Sequence, residues 1–508
     1  MNPVTSTSNT RPVRFVDAVP DRFDAEVRRR VDAGARFAGL YATADRGDGG
    51  TRLTAVLVED GALTALDAPL PVAAGSYPSV TALLPAAFWY ERELHDLFGL
   101  VPVGHPRLDP LVLPLADGAE RPCPGSGRSP GRLDPDDLVL PRRVTGSGMF
   151  TIPHGPVRSG VFESVEYLVE TPGEDVAHIQ VRVYAKHRGI EKRFEGMAPA
   201  AGILLAERVE GIASVAHALA FAQACETLAD AAAPPAAAYI RVLHAELERL
   251  ANHLDVTTRL CDAAGLAVAT SRFAWHKELV LRLVGSLCGS RFGRGVVTPG
   301  GAHRIPLIPP AQALADLAAI EHTLLPDARL LMNTSSFLDR LRGTGRLDPD
   351  LARAHGALGP VGRASGLADD ARRSRPYDAY DRLDLPPART HDTADVLART
   401  RIRFDEIDAA VSLARQALTM LQTLDPDTTP VCVPVHLADG RALARVEAPQ
   451  GELLYALELA GGAITRCKPR TASFHNLVLF HETFHTDILT DYPFIEASFG
   501  LSIAGVVS

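Results

Sequence analysis

Residues 241–254 read RVLHAELERLANHL, and this stretch decides the fold class. Leucine recurs there at positions 243, 247, 250 and 254, which is the spacing that places apolar side chains on one face of an α-helix. The same periodicity elsewhere predicts further long helices, so the chain is expected to build a helical bundle. The predicted long helices cover residues 191–230, 236–263, 267–290, 311–343 and 395–424.

Strand patterns lie on both sides of these helices. A glycine-rich turn at residues 46–50 separates two apolar runs and predicts a β-hairpin. The predicted strands cover residues 36–44 with 51–59, 157–169 with 176–184, and 441–447 with 453–459. Shorter helices are predicted over residues 21–31, 79–99 and 471–489.

Composition changes twice along the chain, which predicts separate structural units. Residues 115–145 are rich in Pro, Gly, Arg and Asp and lack apolar periodicity, so they are interpreted as a linker. The prediction is therefore an α+β fold. It has a small N-terminal α+β domain at residues 1–114, the Pro/Gly-rich linker at 115–145, and a mainly helical domain with β appendages at 146–508.

Charge and composition exclude several classes of protein. Hydrophobic residues make up 46% of the chain, which argues against wholesale disorder, and the net charge of −9 argues against nucleic acid as a partner. The six cysteines include no C-x-x-C pair, so a disulfide scaffold or a locally encoded zinc or iron–sulfur site is not expected. No stretch has the pattern of a membrane span or a secretory signal, and no glycine-rich nucleotide motif or G-x-S-x-G elbow occurs.

One metal-site pattern is present near the C-terminus. His481-Glu482-Thr483-Phe484-His485 matches H-E-x-x-H, which on a helix places two histidines on one face and uses the glutamate as general base. With 17 histidines in the chain, a chance match is also open. A zinc protease needs a third ligand, and the continuation that supplies it in metzincins is absent, so this remains a remote alternative.

Two further segments carry candidate functional groups. Glu210 and His217 are seven residues apart and would share a helical face, which pairs a carboxylate with an imidazole. Residues 186–192 place five charged or titratable side chains around Gly189. That cluster is interpreted either as a plain helix start or as a cationic patch facing an anionic cofactor in a partner.

Several motifs occur in an order that resembles a known family. Residues 89–106 resemble the 30-kDa-type subunit of respiratory complex I. Eight later segments resemble the 49-kDa-type subunit and the large subunit of [NiFe] hydrogenases. They are Gly155–Gly160, His187–Lys192, Arg241–Arg249, Pro299–Gly301, Gly359–Gly366, Val446–Pro449, Gly451–Glu452 and Phe474–Leu477. A fusion of the two types is similar to the large subunit of formate hydrogenlyase-type, group 4 hydrogenases.

The resemblance implies partners and a location. Such subunits pack on an iron–sulfur small subunit that carries a [4Fe–4S] cluster, together with a ferredoxin-like subunit and antiporter-like membrane subunits. The chain would then be cytoplasmic and peripheral on the inner face of the cell membrane. It would bind no cofactor itself, because the four cysteine positions of the hydrogenase nickel–iron centre correspond to Glu210, Ala213, Ser502 and Gly505. No metal site and no hydrogen chemistry are therefore expected.

The resemblance also implies roles for single residues. Glu163 matches the hydrogenase glutamate that moves protons, and Arg188, preceded by His187, matches the arginine beside the terminal iron–sulfur cluster of complex I. The expected function is electron transfer from a partner cluster to quinone or another acceptor, with proton uptake through Glu163, Glu210 or His217. The histidine and tyrosine that contact quinone in complex I are not matched. A subunit that only relays conformational change, or a non-catalytic scaffold, remains the alternative.

Overall fold

The computed structural model describes residues 13–44, 49–71, 75–115, 119–128, 148–158, 163–425, 428–484 and 487–508. Its helices are α1 (Phe23–Asp32), α2 (Phe88–Phe98), α3 (Ile190–Phe194), α4 (Pro199–Ala206), α5 (Ser214–Leu228), α6 (Pro235–Ala263), α7 (Ala267–Cys288), α8 (Pro310–Leu331), α9 (Ser335–Leu341), α10 (Pro349–His355), α11 (Gly359–Ala364), α12 (Ala371–Ser374), α13 (Val396–Gln422), α14 (Ala472–Leu477), α15 (Tyr492–Phe499) and α16 (Ile503–Val506).

The strands are β1 (Arg14–Asp17), β2 (Arg36–Ala44), β3 (Thr51–Glu59), β4 (Ala62–Leu70), β5 (Ser76–Pro78), β6 (Val101–Val103), β7 (Phe150–His154), β8 (Glu166–Thr171), β9 (His178–Arg182), β10 (Val297–Thr298), β11 (Gly301–Ala302), β12 (Gly440–Ala448), β13 (Gly451–Ala460) and β14 (Ala463–Arg470). They form sheets in the orders β1-β4-β3-β2, β5-β6, β7-β8-β9, β10-β11 and β12-β13-β14.

The helical core is organised around α6, as its leucine periodicity predicts. Leu243, Leu247, Leu250 and Leu254 are all fully buried. Helix α6 packs against α7 and α13, and α8 packs against the latter two. The sequence prediction of an α+β fold, with a small N-terminal sheet unit and a mainly helical remainder, is confirmed.

The N-terminal sheet docks face to face on the C-terminal sheet β12-β13-β14. Apolar side chains of β2, β3 and β4 share one core cluster with side chains of β12 and β13. Ion pairs cross the same interface, with Arg441 Nη1 at 2.6 Å from Asp67 Oδ2 and Lys468 Nζ at 2.7 Å from Glu93 Oε1. The N-terminal unit is therefore fixed to the sheet that also supports the functional site.

Most of the predicted linker lies outside the described residues, which omit 116–118 and 129–147. The described part at 119–128 contacts the end of α3. The backbone N–H groups of Gly125 and Gly127 donate to the Glu195 carboxylate at 2.7 and 2.9 Å. The division into domains at residues 114 and 146 stays a prediction.

Several predicted elements are wrong in their extent. The stretch 191–230 forms three helices rather than one, because Gly196 adopts a positive φ of 80° and Pro199 starts a new helix. The stretch 311–343 is divided between α8 and α9, and the predicted strand at 157–169 is reduced to β8 within the described residues. The helix predicted over 471–489 ends at Leu477, and strand β14 was missed.

None of the helices among the described residues combines the length with the apolar character that crossing a membrane requires.

Candidate functional site

A cavity of about 410 Å³ opens between β8, the end of α6, helix α15 and the segment that follows α15. Its wall combines apolar and charged side chains. The apolar lining includes Ile212, Leu477, Phe480, Phe499, Leu501 and Ile503, and the charged lining consists of Arg158, Glu163, Arg259, Asp262 and Glu496. Mixed walls of this kind suit a ligand that has an apolar body and a polar reacting end.

One cation of the cavity is already neutralised. Arg158 Nη2 lies 2.9 Å from Glu496 Oε1, and the Arg158 guanidinium lies over the Tyr167 ring at 5.2 Å. The Tyr167 hydroxyl also donates to Glu496 at 3.1 Å. Glu496 therefore forms an ion pair with Arg158, whereas the second glutamate of the cavity wall is held in a different way.

That second glutamate is Glu163, and neutral donors hold it. The Ser502 hydroxyl donates to its two carboxylate oxygens at 2.9 and 3.1 Å, and the Ala504 backbone N–H donates at 2.6 Å. Glu163 lines the cavity and contacts the C-terminal segment that follows Gly500. This carboxylate is therefore held by hydrogen bonds from a hydroxyl and a backbone amide.

Glu210 and His217 meet behind this wall, both fully buried. His217 Nε2 lies 3.2 Å from Glu210 Oε2, and His217 Nδ1 lies 2.7 Å from the Tyr455 hydroxyl. Burial raises the pKa of Tyr455 well above its usual value, so its hydroxyl keeps its proton. The two ring nitrogens of His217 therefore bridge the Tyr455 hydroxyl and the Glu210 carboxylate.

Ser473 joins the buried pair to the cavity wall. Its hydroxyl donates to Glu210 Oε1 at 2.7 Å and accepts the backbone N–H of Ser502 at 3.1 Å. Ser502 in turn binds Glu163. A continuous set of polar contacts therefore runs from Glu163 at the cavity to Tyr455 in the core.

The reason predicted for the Glu210–His217 contact is wrong, although the contact exists. Helix α5 begins at Ser214, so Glu210 lies in the loop before the helix rather than two turns along it. The loop folds back so that its carboxylate reaches the fourth residue of α5. The position of the Glu210 carboxylate depends on contacts with residues far away in the sequence, such as Ser473. Helical periodicity does not describe such contacts.

The carboxylate of Glu210 occupies the space where a cysteine side chain at position 505 would begin. A Cβ atom built on Gly505 would lie 2.0 Å from Glu210 Oε1 and 2.4 Å from Cδ of the same carboxylate.

The other two positions that the resemblance matches to hydrogenase cysteines, besides Glu210 and Gly505, carry Ala213 and Ser502. No thiolate is therefore available at these positions. Nickel and iron need soft thiolate ligands, and the residues present do not fit such a centre. Among the described residues, no group of three or more His, Cys, Asp or Glu side chains could hold a metal ion.

Arg188 lies at the edge of this arrangement and ties two of its segments together. Its guanidinium donates to the carbonyl oxygens of Arg208 and Val209 at 3.0 and 2.5 Å, and to that of Ala504 at 2.9 Å. Its charge is therefore held by neutral carbonyl groups at a half-buried position. His187, which precedes it, has its pKa lowered by burial, so the ring is neutral near pH 7.

A buried charge cluster lies beneath His187 and Arg188. Lys468 Nζ contacts both carboxylate oxygens of Glu93 at 2.7 Å and Glu191 at 2.6 Å. Burial raises the pKa of Glu93 to about 7. Because Glu93 belongs to α2 and Lys468 to β14, this cluster ties the N-terminal unit to the C-terminal sheet.

The H-E-x-x-H pattern does not form the predicted metal-binding helix. Helix α14 ends at Leu477, and His481–Thr483 form a single 3₁₀ turn in which His481 Nε2 lies 2.8 Å from Glu482. His485 lies outside the described residues. The helical geometry that the zinc protease alternative requires is therefore absent from residues 478–484, and nothing in the described residues supports that remote alternative.

All five candidate residues from the sequence come together in one region. Glu163, Glu210 and His217 belong to one network, while His187 and Arg188 lie beside it. Sequence reasoning missed Ser473 and Tyr455. Ser473 directly precedes the Phe474–Leu477 motif, which was a usable signal, whereas Tyr455 is 238 positions from its histidine partner and carries no local pattern.

Comparison with family models assigns two regions of the chain. Residues 265–434 and 427–506 match the 49-kDa subunit of respiratory-chain NADH dehydrogenase. Residues 43–122 match the 30-kDa subunit of the same enzyme. The two matches occur in one polypeptide and in the order that the motifs predict.

Curated proteins with similar sequences come from two kinds of complex. Formate hydrogenlyase subunit 5 of Escherichia coli is 28% identical over 83% of this chain and 75% of its own length. The carbon monoxide-induced hydrogenase of Rhodospirillum rubrum is 30% identical over 68% of this chain and 96% of its own length. The C/D polypeptide of NADH-quinone oxidoreductase from Gluconacetobacter diazotrophicus is 28% identical over 87% of this chain and 81% of its own length.

Proposed function

This chain belongs to the family of complex I 49-kDa subunits and membrane-bound hydrogenase large subunits, fused to a 30-kDa-type unit, and we propose that it passes electrons from a partner's iron–sulfur cluster to an organic acceptor. It is an oxidoreductase-type subunit that acts within a complex. The acceptor that best suits the cavity is a quinone, which combines a polar reacting ring with an apolar tail. No step involves a nickel–iron centre, because its ligand positions do not fit one.

The observation that carries the proposal is the polar network from Glu163 to Tyr455. Reduction of a quinone to a quinol consumes two electrons and two protons. Glu163 at the cavity wall delivers the protons. Its contact with the buried Glu210–His217 pair runs through the Ser502 hydroxyl, the Ser502 backbone N–H and the Ser473 hydroxyl, which hold the carboxylate in place. Positioned acid–base groups of this kind contribute about 10²- to 10⁴-fold to a rate.

Arg188 supplies the electrostatic part of the proposal. A fixed positive charge near a partner-borne [4Fe–4S] cluster stabilises its reduced form and raises its potential. The partners proposed are an iron–sulfur small subunit, a ferredoxin-like subunit and antiporter-like membrane subunits. The complex would place this chain on the inner face of the cell membrane. Affinity isolation of the tagged chain from membranes, with identification of the proteins that accompany it, tests this composition.

The test of the acid–base role compares two acceptors in the complex isolated from membranes. Decylubiquinone reduction takes up protons, whereas ferricyanide reduction takes up electrons alone. The Glu163→Gln variant is expected to lower the quinone rate at least tenfold and to leave the ferricyanide rate unchanged. The matched control is Glu166→Gln, which removes a carboxylate paired with Arg182 outside the cavity lining. Equal quinone rates for the wild type and Glu163→Gln would favour a scaffold role.

The test of the electrostatic role is a redox titration of the partner cluster followed by electron paramagnetic resonance. Arg188→Ala is expected to lower the midpoint potential, because the reduced cluster loses the fixed positive charge that stabilises it. Arg188→Lys keeps the charge and is expected to restore most of the potential. A midpoint potential that is unchanged in Arg188→Ala would remove this role from the residue.

A further inference from the structure

A second cavity of about 130 Å³ lies between α6 and α7, on the far side of the loop before α5. It is lined mostly by apolar side chains and shares only Ile212 with the functional cavity, within the described residues. The apolar lining consists of Ile212, Val215, Leu247, Leu281, Val284 and Phe292, with Ala251. An apolar cavity of about 150 Å³ is large enough to hold benzene, so this one has room for a single six-membered ring.

His244 of α6 lines this cavity, and one of its ring nitrogens is a buried acceptor without a partner among the described residues. His244 is only 2% exposed, and its Nδ1 lies 2.9 Å from the Ile240 carbonyl oxygen. A carbonyl oxygen can only accept, so Nδ1 carries the proton and Nε2 is an acceptor. Nε2 is buried and has no hydrogen-bond partner among the described residues. Burial lowers the pKa of His244 to about 4, which keeps the ring neutral at pH 7.

A second acceptor of the same helix face is in a similar position. Asn252, two helical turns further along α6, is 6% exposed, and its Oδ1 also has no partner within the described part of the chain. An unsatisfied buried acceptor is unfavourable, and a ligand with a hydrogen-bond donor would satisfy it. These two unpartnered acceptor atoms, His244 Nε2 and Asn252 Oδ1, therefore favour a ligand that carries a hydrogen-bond donor.

The charges around the cavity are paired or neutral. Lys277 Nζ lies 2.6 Å from Asp255 Oδ1, and Arg291 is paired with Glu278. Glu248 accepts the first-turn amides of α5 at 2.7 and 3.0 Å, and burial raises its pKa to about 8, so it is largely neutral at pH 7. These residues therefore offer no unpaired opposite charge to an anionic or a cationic ligand.

We propose that this cavity binds a small, neutral aromatic molecule with a hydroxyl group, the ring lying against the apolar wall and the hydroxyl donating to Nε2 of His244. The inference does not depend on the electron-transfer function, because it rests on residues outside the Glu163–Tyr455 network. The occupant is a free small molecule of the phenol class.

The test uses phenol and toluene as probes of the purified full-length chain, with binding measured by ligand-observed NMR titration. The two molecules have nearly the same shape and differ in the donor. Phenol is expected to bind about tenfold more tightly than toluene. The His244→Phe variant keeps an aromatic ring at this position and removes the acceptor atom. It should therefore weaken the binding of phenol about tenfold and change the affinity for toluene by no more than about twofold.

A filled-cavity variant, one further probe and a measurement on the complex complete the design. Leu281→Trp, at the half-buried rim of α7, should abolish the binding of both molecules. Benzylammonium should bind more weakly than phenol. Phenol binding should persist in the complex isolated from membranes. Equal affinities for phenol and toluene, an unchanged phenol affinity in His244→Phe, preferential binding of benzylammonium, or loss of phenol binding on assembly would each overturn the proposal.

Discussion

Substitution of Gly505 by alanine tests the close approach between the C-terminal segment and Glu210. Gly505 lies in α16 with an ordinary helical backbone, so alanine introduces no backbone strain there. Its Cβ atom would nevertheless lie 2.0 Å from Glu210 Oε1, and the carboxylate would have to move. That movement breaks the hydrogen bonds from Ser473 and His217 to a buried charged group.

The magnitude follows from these two bonds. Hydrogen bonds to charged groups contribute about 1.5–3 kcal/mol each, so Gly505→Ala is expected to lower the free energy of unfolding by about 3–6 kcal/mol. Glu210→Ala removes the same two bonds and also opens the space. The double variant Gly505→Ala/Glu210→Ala should therefore be no less stable than Glu210→Ala alone, which gives a coupling energy equal to the whole cost of Gly505→Ala, about 3–6 kcal/mol.

The assay is urea unfolding of the purified chain at pH 7, followed by far-ultraviolet circular dichroism. Gly211→Ala is the matched control, because a Cβ atom on Gly211 in the neighbouring loop would meet nothing within 4 Å. If Gly505→Ala costs no more than this control, or if the two single changes are additive in the double variant, the close contact with Glu210 does not exist as described.

Three further changes test the buried charges by the same unfolding measurement. Lys468→Met should cost about 3–5 kcal/mol, because it leaves Glu93 and Glu191 buried without their cation, and a cost below 1 kcal/mol would contradict the buried cluster. Burial lowers the pKa of His475 to about 3, so the unfolded chain binds a proton that the folded chain does not as the pH falls from 6.5 to 4. About 3 kcal/mol of stability should be lost over that interval, and His475→Gln should lose correspondingly less. Burial raises the pKa of Glu248 to about 8, so its contribution to stability falls as the pH rises from about 4.5. Glu248→Gln should be more stable than the wild type by about 3 kcal/mol at pH 7 and nearly equal to it at pH 4.

The candidate residues could be found from the sequence, but their geometry could not. Glu210 was expected on a helix with His217, and it lies instead in a loop whose backbone is held by Arg188, about twenty positions away. Ser473 and Tyr455 complete the network from 263 and 238 positions away along the chain. Residues brought together by tertiary packing leave no periodic pattern, because periodicity records only the neighbours within one element.

The sequence by itself determined the α+β class, the long helices α6, α7 and α13, the first hairpin and the replacement of the metal-binding cysteines. These features depend on short-range spacing or on the identity of single side chains, both of which a linear sequence contains. Only the tertiary structure decided that the Glu210 carboxylate fills the space beside Gly505, that the N-terminal sheet docks on β12-β13-β14, and that His244 faces a second cavity. Such contacts arise when separate helices and strands pack, and the packing arrangement depends on shape and charge complementarity across the whole chain.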